Sequence, residues 1–139
     1  MGLLFDIIKK YNFAPVIGNG NYKLQPVYVG DVVKVIIKCL EPRIKNKVYF
    51  VAGPEALTFN EIIDNASKIL TRNPIKVHFP LAFIKVLLKP YELIARNPSL
   101  TYKKILMVTE NKTCDISKTK RDLKFKPISF EEGLKKTLD

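Results

Sequence analysis

Residues 48–62 of the chain, VYFVAGPEALTFNEI, hold two signals that decide the fold class. The run Val48–Ala52 is apolar at every position and ends at a Gly-Pro pair, which is typical of a strand covered on both faces, as in a parallel sheet. Directly after it, Thr58 and Glu61 have the spacing of a capping box, in which hydroxyl and carboxylate satisfy each other's backbone donors. The sequence therefore predicts a strand followed by a helix, the alternation of an α/β protein.

The rest of the chain predicts further helices and short strands on both sides of this stretch. Apolar spacing predicts helices, alternation predicts strands, and Gly, Asn and Pro clusters predict turns. In chain order, the predicted elements are a helix at Leu3–Tyr11, a turn cluster at Pro15–Asn21, a short strand at Lys23–Val29, a helix capped by Asp31 and stopped by Pro42, a strand at Ile75–Phe79 with its apolar residues on one dry face, a helix from Leu81 that ends or kinks near Pro90, helices at Ser99–Thr109 and Ser117–Leu123, and a last helix opened by a capping box at Ser129–Glu132.

Length and composition indicate a folded, soluble chain. Its 139 residues suit a single domain over 1–139, and a hydrophobic fraction of 47% excludes intrinsic disorder. The formal net charge is +11, from 24 Lys+Arg against 13 Asp+Glu. The excess is spread evenly, +5 up to Lys76 and +6 from Lys85 onward, and the densest segment is Lys118–Lys126. Because nucleic-acid binders concentrate their charge on one face, we do not expect nucleic acid as a partner.

The cysteine and hydropathy patterns exclude several other classes. Cys39 and Cys114 are far apart and His78 is the only histidine, which argues against a disulfide framework and a zinc site and predicts two buried, reduced thiols. The longest apolar stretch, Leu81–Ala95, is interrupted by two lysines and a proline and is shorter than the roughly 20 residues of a membrane span. We therefore expect no metal, no membrane partner and a cytoplasmic location.

No catalytic or cofactor-binding constellation is present in the residues themselves. The Gly18-Asn-Gly20 turn has two of the glycines of a dinucleotide fingerprint but precedes a strand, so a phosphate would meet no helix N-terminus there. No tyrosine has a lysine four positions later. The adjacent Glu131 and Glu132 are expected to be solvated capping residues, and His78 a surface residue. The sequence predicts no catalytic residue.

Several segments together resemble the C-terminal portion of the extended and atypical short-chain dehydrogenase/reductase family, which includes the NAD-dependent epimerases and dehydratases of nucleotide sugars. The residues QPVYV at 25–29 are most similar to the atypical branch of the family, which includes the reductase-like accessory subunit of respiratory complex I. In chain order the segments are PVIGNG at 15–20, QPVYVGDVV at 25–33, VYFVAGPE at 48–55, LTFNEI at 57–62, and DISKTKRDLKFKP at 115–127 with FEEGL at 130–134.

The resemblance implies that this chain is the substrate-binding lobe of such a protein, with several helices and short strands. In the family the glycine fingerprint and the Tyr-x-x-x-Lys pair lie in a Rossmann half upstream, which these residues lack. Met1 would then be an internal start relative to the full-length relatives. Those relatives use NAD or NADP, whereas we expect no cofactor on this chain alone.

The resemblance also implies where substrate would bind. The candidate substrate-binding residues are Gly18, Asn19, Gly20, Asn21, Tyr22, Lys23, Gln25 and Tyr28. Exposed amides in this turn, with Tyr22 and Lys23, suit a phosphate or a sugar. Nucleotide-sugar epimerases usually have an arginine where this chain has Leu24, which puts a nucleotide sugar in doubt. A plain turn and edge strand is the alternative interpretation.

Three hypotheses follow for function. The first is an inactive fragment of an NAD(P)-dependent epimerase/dehydratase-like or reductase-like protein. The second is a non-catalytic interaction module that pairs with a Rossmann partner or with a second copy, because a strand at 48–52 would be left with unpaired backbone. The third, a basic nucleic-acid binder, would show a steep loss of affinity with salt.

Overall fold

The computed structural model describes residues 2–44, 46–94 and 101–138. Their elements, in chain order, are α1 (Gly2–Tyr11), β1 (Phe13–Ile17), β2 (Lys23–Leu24), α2 (Val29–Cys39), a 3-10 turn (Pro42–Ile44), β3 (Leu57–Thr58), α3 (Phe59–Leu70), β4 (Ile75–Phe79), α4 (Leu81–Ile94), α5 (Tyr102–Val108), α6 (Ser117–Leu123) and α7 (Phe130–Leu138). The mixed α/β class predicted from the sequence is confirmed. Within these residues, no helix combines the length and apolar character needed to cross a bilayer.

The chain divides into two compact units. The first contains the described residues of 1–22 and 58–111, and the second those of 23–57 and 112–138. The prediction of a single domain over residues 1–139 stays a prediction.

The first unit is built on two parallel strands. β1 pairs with β4 in a register that runs from Phe13 opposite Ile75 to Ile17 opposite Phe79. The alternate residues Ala14 and Val16 of β1 are fully buried, and they pack with Ile8 of α1 and Ile63 of α3. Because both strands run in the same direction, their carboxyl ends meet at one edge, after Ile17 and Phe79.

The second unit has its own core around α2 and α6. The buried side chains are Val35 of α2, Leu123 of α6, and Ala52, Ile116 and Phe125 from the segments between elements. Among the described residues of this unit, Asp31 is the buried charged side chain, 1% exposed. Its carboxylate accepts from the backbone N–H of Ile128 at 2.8 Å and from the Lys34 ammonium at 2.9 Å, so it ties the first turn of α2 to the segment before α7.

The predicted strand at 48–52 is wrong. These residues have no strand partner among the residues that the structure describes. Two of their carbonyls instead accept side-chain hydrogen bonds from α6, Val48 from Lys118 at 3.1 Å and Phe50 from Thr119 at 2.6 Å. Burial also differs from the prediction of two covered faces: Val48 is 73% and Phe50 62% exposed, whereas Ala52 is buried.

The prediction that Asp31 is the N-cap of α2 is also wrong, and the strand at Lys23–Val29 is much shorter than predicted. Helix α2 begins at Val29, after Tyr28, and no side chain caps it. The strand covers Lys23–Leu24 only. The reason is that the Asp31 carboxylate has a distant partner in Ile128, which local spacing does not reveal.

Other local predictions have mixed outcomes. The Thr58–Glu61 capping box is present, with the Thr58 N–H donating to the Glu61 carboxylate at 2.7 Å. Pro15–Ile17 belong to β1 and not to a turn, and α4 continues through Pro90 to Ile94. In β4, Ile75 is 70% exposed, so the predicted dry face is incomplete. The start of the helix predicted from Ser99 lies outside the described residues.

Candidate functional site

The turn after β1 lies at the carboxyl edge of the parallel pair. The Gly18 N–H donates to the Phe79 carbonyl at 2.9 Å, which continues the pairing of the two strands by one bond. The Asn21 N–H then donates to the Asn19 side-chain oxygen at 3.0 Å. Gly18 and Gly20 have φ angles of 67° and 70°, the left-handed region that glycine adopts without steric cost. This edge is where ligands bind in open α/β sheets.

Helix α3 holds the other side of this turn. The Asn60 side-chain amide donates to the Asn19 carbonyl at 2.9 Å, and the Asn60 N–H donates to the Gly20 carbonyl at 3.1 Å. The N–H of Phe59 donates to the Tyr22 carbonyl at 3.1 Å. The first N–H groups of α3 are therefore occupied by the turn. The start of α3 consequently does not offer a phosphate the free donors that a helix N-terminus usually has.

Close contact with Asn60 and Val16 explains the glycine at position 20. A Cβ atom there would lie 2.5 Å from the Asn60 Oδ1 and 2.7 Å from Val16 Cγ1. The backbone of Gly20 covers the Asn60 Oδ1, a buried atom with no hydrogen-bond partner among the described residues. The inner side of the turn is therefore packed so closely against Asn60 and Val16 that it has no room for a side chain at position 20.

An open cavity of about 990 Å³ lies beside the turn, within the first unit. Four of the predicted substrate-binding residues line it, together with residues from the end of β4, the start of α4 and the segment after α5. The lining consists of Ile17, Gly18, Asn19, Asn21, Tyr22, His78, Pro80, Leu81, Thr109, Glu110 and Asn111.

The cavity is lined by apolar side chains together with polar groups that are mostly uncharged. None of the described residues that line it is Lys or Arg, and Glu110 is the one carboxylate among them. Asn19, Asn21, Asn111 and Thr109 supply uncharged donors and acceptors. Such a lining suits hydroxyl groups better than phosphate, which usually binds to Arg, Lys or free backbone N–H groups.

Tyr22 is the buried aromatic side chain of the cavity lining. It is 7% exposed and stacks on Phe59 of α3, with the ring centroids 5.3 Å apart. Burial raises the pKa of its phenol to about 12. At neutral pH the hydroxyl therefore stays protonated and is a hydrogen-bond donor.

The structure does not bring all of the predicted site residues to this cavity. Gly18, Asn19, Asn21 and Tyr22 line it, and Gly20 packs inward instead. Lys23, Gln25 and Tyr28 belong to the second unit. These assignments to substrate stay predictions.

Gln25 and Tyr28 have structural contacts in the second unit. The Gln25 amide donates to the Gly53 carbonyl at 2.8 Å and its oxygen accepts from the Cys114 N–H at 3.0 Å. Tyr28 packs against Gly133 of α7, where a Cβ atom would approach the Tyr28 Cβ to 3.2 Å. Both ends of the Gln25 side chain are therefore occupied within the protein.

Sequence reasoning missed the cavity contributions of His78 and of the 109–111 segment. The sequence placed His78 on a strand with its polar side outward, and it is exposed at the end of β4. The missing information was the pairing of β4 with β1, which brings His78 next to the Gly18 turn. Spacing along the chain contains no signal for that pairing.

The remaining titratable groups that the sequence singled out do not form a catalytic set. Glu132 pairs with Lys136 at 2.9 Å, and its N–H donates to the Ser129 hydroxyl at 3.2 Å. Both cysteines are free, as predicted, but Cys39 is exposed and Cys114 is only half-buried, so the prediction of two buried thiols is wrong. Within the described residues, no group of three His, Cys, Asp or Glu could hold a metal ion.

Solved structures of NAD-dependent epimerases are similar in fold to this chain. UDP-glucuronic acid 4-epimerase from Bacillus cereus, in complex with NAD, aligns with a TM-score of 0.66 and 18% identity, and the alignment covers 94% of this chain. UDP-glucose 4-epimerase from Thermotoga maritima, with UDP-glucose, aligns with a TM-score of 0.67 and 21% identity over 99% of this chain. The fold of this chain is therefore similar to part of the fold of these epimerases. The chain spans 35% and 39% of the length of these two proteins.

Two curated proteins are similar in sequence. NADH dehydrogenase [ubiquinone] 1 alpha subcomplex subunit 9, mitochondrial, from Arabidopsis thaliana is 33% identical over 63% of this chain and 22% of its own length. Uncharacterized protein y4nL from Sinorhizobium fredii is 24% identical over 99% of this chain and 41% of its own length. No family model matches the chain. The predicted resemblance to the epimerase and reductase fold is confirmed, and the chain spans less than half of each curated relative.

Proposed function

We propose that this chain is the C-terminal, substrate-facing part of an NAD(P)-dependent nucleotide-sugar epimerase/dehydratase-like or reductase-like protein, and that it is inactive alone. The observation that carries the proposal is the fold match, which covers nearly all of this chain but only 35–39% of the NAD-dependent epimerases. The sequence has neither the glycine fingerprint nor the Tyr-x-x-x-Lys pair. Dinucleotide binding and proton transfer would therefore be supplied by a Rossmann half that uses NAD or NADP.

An exposed apolar surface on the second unit supports the proposal that this chain binds a Rossmann half. It consists of Val33, Ile36, Ile37 and Leu40, which share one face of α2, and we call it the α2 patch. Its members are 47%, 56%, 61% and 78% exposed. Contiguous apolar surface of this kind marks an interaction site in a folded protein. A sheet from the Rossmann half is its proposed occupant, because residues 48–52 lie next to α2 with an apolar side uncovered.

The cavity of the first unit supports a sugar as the bound group. Its amides and hydroxyls match a ring of hydroxyl groups, and the described lining has no cation for a diphosphate. The chain also has Leu24 where the epimerases usually have a phosphate-binding arginine. We infer that this cavity holds the sugar of the substrate, while phosphate is held elsewhere.

Nuclear magnetic resonance titration of the full chain tests the substrate-facing assignment. UDP-glucose, and glucose at higher concentration, should both shift the amide signals of residues 18–22 and 109–111. The Asn111→Ala variant should weaken both effects severalfold, whereas Asn73→Ala, which changes an exposed side chain outside the cavity, should not. Absence of any shift at residues 18–22 with either ligand would contradict the assignment.

The α2 patch also favours a second candidate, a non-catalytic interaction module. In that case the same surface would bind a second copy of this chain, and the cavity would have no ligand. A stable dimer that persists when a Rossmann half is supplied, combined with no sugar binding, would favour this function over the first.

A further inference from the structure

Helix α4 is attached to the first unit along one narrow stripe. Leu81, Ile84 and Leu88 form this stripe and are half-buried. The opposite side of the helix has the spacing i, i+3, i+4 and i+7 of a single face. It consists of Phe83, Val86, Leu87 and Pro90, which we call the α4 outer face. Val86 is 70% exposed and Leu87 58%, so nothing in the described residues covers this face.

Lysines lie on the flank of α4 between its buried stripe and its outer face. Lys85 and Lys89 are exposed and one turn apart on α4. The Lys85 ammonium lies 5.6 Å from the ring of Tyr102, which begins α5, and the next two residues, Lys103 and Lys104, are exposed. Glu92, whose side chain is outside the described part of the structure, is the one acidic residue in the sequence of α4, and α5 contains none. The surface therefore combines large apolar side chains with positive charge.

This combination decides between possible occupants. A second copy of the chain would bring lysines close to lysines, and this repulsion opposes association. An anionic bilayer surface complements both parts, because the boundary of headgroups and acyl chains takes apolar side chains while lipid phosphates and carboxylates attract lysines. We propose that the α4 outer face and its lysines dock onto an anionic lipid surface, with α4 lying in the plane of the interface.

This inference is independent of the proposed enzyme-fragment function, and it differs from the expectation of no membrane partner. That expectation considered a spanning segment, which needs roughly 20 apolar residues through the bilayer. An interfacial helix needs one apolar face and flanking basic residues, and α4 provides both.

Vesicle co-sedimentation of the full chain tests the proposal. The chain should bind vesicles of phosphatidylcholine mixed with phosphatidylserine, and much less strongly vesicles of phosphatidylcholine alone. Lys85→Glu with Lys89→Glu should lower the partition coefficient about tenfold or more, because each basic residue near such a surface contributes measurably. Val86→Gln with Leu87→Gln should lower it by about tenfold through lost apolar burial.

A charge-matched control separates docking from general attraction of a chain with net charge +11. Lys124→Glu with Lys126→Glu changes exposed residues of the second unit by the same total charge and should reduce partitioning less than about threefold. Equal weakening by both charge reversals, unchanged binding of the Val86/Leu87 variant, or no binding to phosphatidylserine vesicles would each overturn the proposal. A dimer lost in the Val86/Leu87 variant without vesicle binding would assign the face to a second copy and also overturn it.

Discussion

At the scale of single residues, Gly20 is the position where the turn at the cavity tolerates a side chain least. We predict that Gly20→Ala lowers the free energy of unfolding by roughly 2–4 kcal/mol, from the left-handed backbone and from crowding. Gly18→Ala is the matched control, because its φ is also positive but the nearest atom to an added Cβ, Leu81 Cγ, is 3.9 Å away. That variant should lose only about 1–2 kcal/mol in urea denaturation. Equal losses would contradict the contact between Gly20 and Asn60.

The buried phenol of Tyr22 predicts a pH dependence. Its pKa is about 12 in the folded state against an ordinary value of 10, so folding favours the protonated form. This contribution is fully present below pH 10 and is lost as the pH rises through about 12. We therefore expect Tyr22→Phe to lose less stability than the wild type over this interval, where lysines titrate equally in both proteins. The same pH dependence in both proteins, measured by urea midpoints, would argue against burial of the Tyr22 hydroxyl.

At the scale of elements, α6 holds the extended segment 48–52 through one buried side chain. Thr119 is 1% exposed and its hydroxyl donates to the Phe50 carbonyl at 2.6 Å. Thr119→Val keeps the shape and removes the donor, so it should cost about 1–2 kcal/mol in chemical denaturation. Thr113→Val, at an exposed site, should change stability by less than about 0.5 kcal/mol. An unchanged free energy of unfolding in Thr119→Val would show that the hydrogen bond from Thr119 does not hold the 48–52 segment.

Comparison of the predicted and observed elements shows how far the sequence alone predicts this fold. The Thr58–Glu61 capping box and the Ser117–Leu123 helix were correct because their signals are local and the partners are within one helical turn. The strand at 48–52 was wrong because a strand needs a neighbour, and apolar residues alone do not supply one. The prediction that Asp31 caps α2 was wrong for a related reason, since the hydrogen-bond partner of its carboxylate, the Ile128 N–H, is 97 positions away.

The cavity follows the same rule. Gly18, Asn19, Asn21 and Tyr22 were found because they share one turn of the chain. The pairing of β1 with β4, which joins residues about 60 positions apart, adds His78, and the 109–111 segment comes from still farther along the chain. A single sequence predicts the turn and the strands but not which strands are neighbours.

At the scale of the whole molecule, the α2 patch should make the isolated chain associate. Ile37→Gln with Leu40→Gln removes two of its most exposed members and should lower the apparent mass in light scattering at high concentration. Tyr11→Gln, a 64% exposed residue of α1, is the control and should leave the association unchanged. A wild-type chain that stays monomeric at high concentration would contradict the assignment of this surface to a partner.

The central claim is that these residues supply the substrate side of an NAD(P)-dependent protein and leave dinucleotide binding to another half. Calorimetric titration of the full 139-residue chain with NADH, repeated with NADPH, tests it most directly. We predict no saturable heat with either dinucleotide, because a helix N-terminus preceded by a glycine fingerprint is absent from the sequence. Stoichiometric binding at micromolar concentrations would contradict the account.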